Sequence, residues 1–319
     1  MLHRIEHFAD IPISCRGGVV SIGNFDGVHR GHAVLVESMR SIARQHGGPA
    51  VAFTFDPHPA SLLRPDQSPA PLTWTERKAE LLEACGADAV VVIHTNMELL
   101  RLTADEFFEQ VVRESLEARA LVEGPNFGFG RNRSGTITTL NRLCAAAKMQ
   151  LEVIDPLEID GQVISSSRVR QCLAGGQVDV AARLLGRPHR VRGQVTTGAG
   201  RGASLGFPTA NLRGTDTVVP GDGVYAARTE MDGQSWPVAA HIGPNATFGE
   251  VDRSIEAHLI GFNGNLVGRS LELEFLARIR GTQKFGGPAE LVEQMRRDVE
   301  QSRRIAAERG TGGEGESGR

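Results

Sequence analysis

Two histidines three residues apart, His29 and His32, stand in the stretch Gly23-Asn24-Phe25-Asp26-Gly27-Val28-His29-Arg30-Gly31-His32. Imidazole nitrogens at such a turn can hydrogen-bond phosphate oxygens and stabilise the charge that develops during group transfer. Glycines there, Gly23 and Gly31 among them, let the backbone bend tightly and approach a ligand closely. An apolar run precedes the stretch and a helical pattern follows it, so the order is strand, turn, helix. The free N–H groups and positive dipole end of that helix would face the same anion. The spacing is neither Gly-x-x-x-x-Gly-Lys-Ser/Thr nor Gly-x-Gly-x-x-Gly. Taken alone, it also suits a turn with two solvated histidines or half of a metal site.

Other stretches offer compatible chemistry. Ser165, Ser166 and Ser167 precede Arg170 at the start of a helical pattern. Three hydroxyls there serve as simple caps or, with Arg170 one turn on, as a phosphate clamp. Gly124-Pro125-Asn126-Phe127-Gly128-Phe129-Gly130-Arg131-Asn132-Arg133 joins glycines, two aromatics and two arginines, as a pocket for a flat ring and a phosphate would. The alternative is a loop with Phe127 and Phe129 tucked into the core. His58, in Asp56-Pro57-His58-Pro59, reads equally well as a ligand or as part of a proline-stiffened turn. Further on, Thr209 and Asn211 alternate in Gly206-Phe207-Pro208-Thr209-Ala210-Asn211, so an extended chain puts them on one side. Their oxygens are hard donors suited to a magnesium ion that also holds nucleotide phosphates. The pair by itself also describes a strand with two polar outward residues.

The elements that must position these residues change character along the chain. From residue 18 to about 155, short apolar runs (Val19–Ile22, Val51–Phe55, Ala89–Ile93, Ala120–Val122, Leu151–Ile154) alternate with helical periods. Leu35, Met39 and Ile42 mark one helix face, and Thr103 with Glu106 forms a capping box. Strands alternating with helices predict a parallel, doubly wound α/β sheet with strands covered on both faces. Its ligands would bind beyond the carboxyl ends of the strands, where Gly23–His32 would lie. After Gly186-Arg187-Pro188 come short strands and glycine-rich turns: Arg190–Thr197, Gly223–Thr229, Ser235–His241, Ile255–Gly261 and Ser270–Phe275. They predict an antiparallel β-barrel, closed by a C-terminal helix with Leu291, Val292, Met295 and Val299 on one face. The expected domains are residues 1–186 and 187–306, followed by a disordered Gly/Glu/Ser-rich tail over 307–319. Because no motif straddles that boundary, residues 188–319 are expected to fold alone.

A net charge of −3 excludes a broad nucleic-acid footprint. Four scattered cysteines (Cys15, Cys85, Cys144, Cys172) predict reduced structural thiols, not a disulfide frame or zinc site. No apolar run approaches membrane-spanning length and the opening residues carry no secretory apolar segment, which predicts a cytoplasmic protein without membrane partners.

These pieces resemble a known family. His-x-Gly-His after the first strand and Ser-Ser-Ser-x-x-Arg after the last are similar to the paired signatures of nucleotidylyltransferases. The fuller text, with Thr54-Phe55-Asp56-Pro57-His58-Pro59, resembles bacterial FMN adenylyltransferase. That resemblance implies that His29 and His32 bind ATP phosphates and that Ser165, Ser166 and Arg170 grip the leaving pyrophosphate. Ser167 stands where the family usually has Thr. It also implies a flavin side made by Asn126, Phe127 and Asn24. Gly-Phe-Pro-Thr-Ala-Asn resembles the magnesium–ATP signature of riboflavin kinase, and Pro220-Gly221-Asp222-Gly223-Val224-Tyr225, Ile255-Glu256-Ala257-His258 and Lys284-Phe285 agree with it. The resemblance implies that Glu256 takes the proton from the riboflavin 5′-hydroxyl; read by itself, Glu256 is a strand carboxylate. One departure is His241-Ile242-Gly243-Pro244-Asn245-Ala246-Thr247-Phe248, with His241 where the family usually has Asn and Ala246 where it has Pro.

The expected function is therefore two ATP-dependent steps, riboflavin to FMN and FMN to FAD, with Mg2+ serving both and protein ligands (Thr209, Asn211) only in the kinase site. The rivals are an adenylyltransferase for another phosphate monoester and a flavin-binding store with decayed sites.

Overall fold

A computed structural model describes residues 1–198, 201–244 and 253–310. By backbone contacts the chain divides into two units. One comprises 1–69 and 73–165; the other comprises 70–72 and 166 onward. The boundary read from the change of pattern, Gly186-Arg187-Pro188, lies inside the second unit.

The first unit is built on six parallel strands: β1 (Leu2–Ile5), β2 (Val19–Ile22), β3 (Ala50–Asp56), β4 (Ala89–His94), β5 (Ala120–Glu123) and β6 (Gln150–Val153), in the order β1-β4-β3-β2-β5-β6. β1 is absent from the sequence reading because Leu-His-Arg-Ile has no apolar run to mark it; it adds to the edge by pairing Leu2–Ile5 with Val90–Ile93. β2, β4 and β5 read as continuous apolar runs because both their faces are covered. β6 departs from that expectation: it is an edge strand with Gln150, Glu152 and Val153 exposed. Successive connections turn left and right of β2, so the topological switch lies between β2 and β5.

The helices are α1 (Arg30–His46), α2 (Pro59–Leu63), α3 (Thr75–Ala84), α4 (Met97–Arg101), α5 (Ala104–Phe107) and α6 (Ile137–Ala147). α1 buries Met39 and Ile42 of its predicted face against the sheet; Val36 is buried with them, and Leu35 is only half-buried against the same cluster. The capping box forms: Thr103 N donates to Glu106 Oε2 at 2.8 Å and Glu106 N to Thr103 Oγ1 at 3.2 Å. After β6 comes a small hairpin, β7 (Glu158–Ile159) and β8 (Gln162–Val163), so the serine signature follows a hairpin and not a sheet strand.

The second unit opens with α7 (Ser166–Ala174) and α8 (Val178–Leu185). Its barrel is closed by six strands: β9 (His189–Thr196), β10 (Ala210–Arg213), β11 (Gly223–Met231), β12 (Gln234–Pro244), β13 (Arg253–Leu259) and β14 (Ser270–Arg280). The five predicted strands are there. The sixth, β10, is only four residues long and lies inside the stretch read for its ligands. A short helix, α9 (Arg201–Ser204), precedes it. The barrel interior takes alternate residues, such as Val191, Leu212, Ala240, Ala257 and Phe275, all buried.

The last helix, α10 (Pro288–Gly310), packs against β11, β12 and β14. It runs on through 307–310, part of the predicted tail, where Arg309 Nη1 donates to the Leu276 carbonyl at 2.5 Å and holds the end to the barrel. Residues 311–319, the rest of that tail, and Asn245–Phe248 of the departing loop lie outside the described residues.

Candidate functional sites

The first site is built on the turn between β2 and α1. Gly23 N still belongs to the sheet, donating to Phe53 O at 3.0 Å. Beyond it Phe25 (φ 46°) and Val28 (φ 38°) lie in the left-handed region, with Gly27 (φ 82°) between them. For a β-branched residue this backbone is an outlier costing about 1–3 kcal/mol, the kind of strain that concentrates at ligand-binding turns. The surroundings hold it: Phe25, Asp26 and Val28 are buried, and Gly27 N donates to Thr73 Oγ1 at 3.4 Å. Lys78, on the inward face of α3, is buried nearby. Burial pulls its ammonium below the usual lysine range, and the Asp26 and Asp56 carboxylates oppose that fall.

His29 is the N-cap of α1, its Nδ1 accepting from His32 N at 3.3 Å. The two imidazoles stack, centroids 3.7 Å apart and planes 13° off parallel. Gly31 makes that possible, since a Cβ there would sit 3.2 Å from the His29 ring. The sequence thus places both histidines together at one helix start, as expected. Asn24 adjoins them, and its carbonyl accepts from Thr54 Oγ1 at 3.3 Å.

The loop after β5 carries the aromatic pair. Phe127 and Phe129 stack at 5.4 Å; Phe129 is buried in the core and Phe127 half-buried against it. Arg133 Nη2 donates to the Asn126 carbonyl at 3.2 Å and so braces the same loop. Glu123, the last residue of β5, is buried, and its Oε1 accepts from Ile22 N at 2.7 Å. His58 caps α2, its Nδ1 accepting from Ala60 N at 3.0 Å, so the turn reading describes it. The serine signature spans the division of the chain: Ser165 ends the first unit, and Ser166, Ser167 and Arg170 start α7 of the second. Arg170 Nε donates to the Ala70 carbonyl at 3.2 Å.

The second site is a row across strands. Register pairs Asn211 of β10 with Glu256 of β13, Glu256 with His241 of β12, His241 with Val224 of β11, and Val224 with Arg280 of β14. Directly paired residues project to one face of a sheet. Here it is the outer face, because the neighbours Ala210, Ala257 and Ala240 point inward and are buried. All five members of the row line a cavity of about 390 Å³ together with Thr209, His258 and Phe207. α10 supplies the opposite wall through Leu291, Met295 and Val299, three of the four residues predicted for its apolar face.

Two glycines leave room beside the predicted ligands. A Cβ on Gly198 would fall 2.1 Å from the Asn211 amide, and one on Gly202 would fall 3.2 Å from Thr209 Oγ1. Thr209, just before β10, and Asn211 within it both line the cavity with neutral hard oxygens, a donor pair that fits a magnesium ion brought in by nucleotide phosphates. Among the described residues no cluster of three or more His, Cys, Asp or Glu could hold a metal. His258 fixes the adjoining turn: its Nδ1–H donates to the Pro208 carbonyl at 2.8 Å, and its ring meets Phe207 edge-on.

Two wall residues were not legible beforehand. Arg280 reaches Asp298 of α10 through Nε and Nη2, the latter at 2.7 Å, and Gln294 Nε2 also donates to Asp298 at 2.8 Å. Asp298 is buried in the helix's apolar stripe. A charged residue at a predicted core position is the one sequence signal that could have marked it. A second cavity, about 340 Å³, opens at the carboxyl ends of β1 and β4 beside His7 and His94, and none of the predicted site residues lines it.

All four cysteines are free. No helix among the described residues is long and apolar enough to cross a membrane.

Comparison with known proteins gives one consistent result for the two halves. Residues 12–168 match the family described as FAD synthetase, and residues 185–306 match riboflavin kinase. The chain is 36% identical over 293 residues to a bifunctional riboflavin kinase/FMN adenylyltransferase of Pseudomonas fluorescens, covering 92% of this chain and 94% of that one. It is 34% identical to the protein of that description from Bacillus subtilis (strain 168), over 89% of this chain and 91% of the other. Among solved structures, one described as a macrolide-efflux protein from Streptococcus pneumoniae matches with a TM-score of 0.84 and 30% identity, covering 95% of this chain and 98% of that one. With a parallel sheet carrying a His-x-Gly-His turn, a six-stranded barrel carrying the Thr-x-Asn and Glu row, and relatives matched over nearly their full length, the chain belongs to the bifunctional riboflavin kinase/FMN adenylyltransferase family.

Proposed function

We infer that the chain makes FAD in two steps at two sites, riboflavin plus ATP giving FMN and ADP, then FMN plus a second ATP giving FAD and pyrophosphate. The observation that carries the kinase half is the direct register of Glu256 with Asn211 on the wall of one cavity. A general base must lie within reach of the alcohol whose proton it takes, and the phosphate-side ligands must lie beside it. Glu256 accepts the 5′-hydroxyl proton as that oxygen attacks the γ-phosphorus of ATP, and the bond to the ADP oxygen breaks. Thr209 and Asn211 would hold a magnesium ion, which would neutralise phosphate charge there. Phe207 and the apolar side of α10 offer a flat, water-excluding surface for the flavin ring.

In the adenylyl-transfer step the attacking group is the FMN phosphate, which is already anionic and needs no base. What the protein supplies there is charge stabilisation and alignment. His29, His32 and the N-terminal turn of α1 take the ATP phosphates, with Gly23 and Gly31 giving close backbone approach. Ser165, Ser166, Ser167 and Arg170 hold the departing pyrophosphate, and Asn24, Asn126 and Phe127 form the flavin side.

The test is the product pattern from riboflavin, ATP and magnesium. FAD and pyrophosphate, with FMN appearing first, is the expected result. Riboflavin bound but unchanged would replace this reading with a flavin store.

A further inference from the structure

We propose that Glu123 is a positioning residue for adenylyl transfer, its carboxyl group holding β2 and β5 apart where the two ligand loops leave the sheet. The proposal rests on the assignment of adenylyl transfer to the first unit.

The geometry is that of a sheet that divides. β2 and β5 pair only through Val19–Ala120 and Val20–Leu121, although both strands run two residues further. Over those last residues each strand keeps its other neighbour. Ser21 and Ile22 stay paired with Ala52 and Phe53, and Val122 and Glu123 with Glu152 and Val153. The parting is therefore confined to the switch point. Ile22 N–H, which a β5 carbonyl would accept in a continued ladder, is taken by Glu123 Oε1 at 2.7 Å. Without that acceptor a buried N–H would be left over, a rare and costly state.

Glu123 also touches both ligand loops through the chain itself. Its side chain holds the residue that precedes Gly23, and its main chain runs into Gly124 and the Asn126–Phe127 loop. One carboxyl group thus sets the separation between the phosphate turn and the flavin-side loop. The group is 2% exposed. Burial pushes its pKa well above the ordinary carboxylate range, opposed by the Ile22 N–H. Cys144 of α6 lies near it, its thiol pushed up to about 11 by burial and by Glu123. A carboxamide presents an acceptor oxygen at the same reach, so glutamine should replace it and an apolar residue should not.

The experiment compares Glu123→Gln and Glu123→Met in the full chain, using riboflavin kinase activity as the internal control of folding. The readouts are the KM values for FMN and ATP, turnover, and amide exchange at Ile22. Glu123→Gln is expected to stay within about 3-fold of wild type throughout. Glu123→Met is expected to raise KM by roughly 10-fold or more with a smaller change in turnover, and to speed Ile22 exchange by at least about 10-fold. Should Glu123→Met not fold, Glu123→Asp takes its place, its carboxyl one methylene short, with the same expected split. Met or Asp variants with wild-type KM and Ile22 exchange would overturn the proposal. So would a Gln variant as impaired as Met, since an acceptor oxygen at that reach would then not be what matters. Wild-type protein that makes no FAD from supplied FMN would overturn the assignment beneath it, and Ile22 exchange would still decide whether Glu123 holds that strand.

Discussion

In the first unit the residues proposed to take the ATP phosphates are contiguous: one ten-residue turn carries Gly23, His29, Gly31 and His32, and the backbone of α1 adds its N–H groups, while the serine signature proposed for the pyrophosphate comes from 165–170. In the second the polar residues of the cavity wall come one from each strand, Asn211, Glu256, His241 and Arg280, brought into a row by register across 69 residues of sequence from Asn211 to Arg280. A turn-built site draws its electrostatics from the peptide dipole and needs only local folding. A row-built site exists only when the barrel has closed. The two sites should therefore fail differently when the chain is cut, mutated or acidified.

The largest difference should come from cutting. α7 and α8 bury Val169, Leu173, Val178, Leu184 and Leu185 within the second unit, and Gly221 N donates to the Leu173 carbonyl at 2.8 Å. Losing five such side chains at about 1.5–3 kcal/mol each removes as much as a domain's whole net stability of roughly 5–15 kcal/mol. Residues 166–319 are expected to unfold cooperatively and phosphorylate riboflavin, whereas 188–319, a fragment drawn from the change of pattern alone, should not. Denaturant titration with a kinase assay on both fragments checks this. A cooperative, active 188–319 fragment would show the helices to be dispensable.

Next in size is the general base. Glu256→Gln keeps the register and removes proton acceptance, so FMN formation should fall by about 10²–10⁴-fold while supplied FMN still becomes FAD. Normal riboflavin phosphorylation by this variant would leave the row without a catalytic carboxylate. The corresponding lesion in the turn, His29→Ala or His32→Ala, should cost adenylyl transfer about 10²-fold and leave the kinase step alone. Steady-state rates of the two steps, measured on the same preparations, give the comparison; equal losses in both would mean the sites are not separate.

Acid should separate the units more gently. His189 starts β9 inside the barrel, buried, with its ring N–H on the Val218 carbonyl at 2.7 Å. Burial first, and then the neighbouring Arg187 charge, bring its pKa down from 6.5 to about 4, partly opposed by that hydrogen bond. A histidine with a depressed folded value contributes stability that is full above its unfolded pKa and lost as pH falls toward the folded one. Between pH 7 and pH 5 the loss should be about 2 kcal/mol, taking 1.36 kcal/mol for each pH unit. Urea unfolding of the second unit at the two pH values should show this loss in wild type and much less of it in His189→Gln.

Much of the molecule could be read from residues alone, because the relevant signals are local. The His-x-Gly-His turn, the Thr103–Glu106 box and the α1 face are each set by spacings within one or two turns of chain, and each takes the form its spacing implies. The change from strand–helix alternation to strand–turn grammar follows from which faces are covered, and that too is written in hydrophobic periodicity. Asn211 could be placed on a strand for the same reason, although that strand begins at Ala210, one residue after Thr209.

What only tertiary structure decided is where periodicity stops mattering. The register that sets Glu256 opposite Asn211 depends on barrel closure, and a slip of one residue would turn it inward. Arg280 and Asp298 meet across a strand and a helix, and no local pattern predicts a carboxylate inside an apolar stripe. Glu123 looks like the polar end of a strand. Its burial and its hold on Ile22, 101 residues away in sequence, arise because the sheet parts beside it. Local propensity names the elements, but long-range packing decides which polar groups are removed from water, and that removal gives these residues their chemistry.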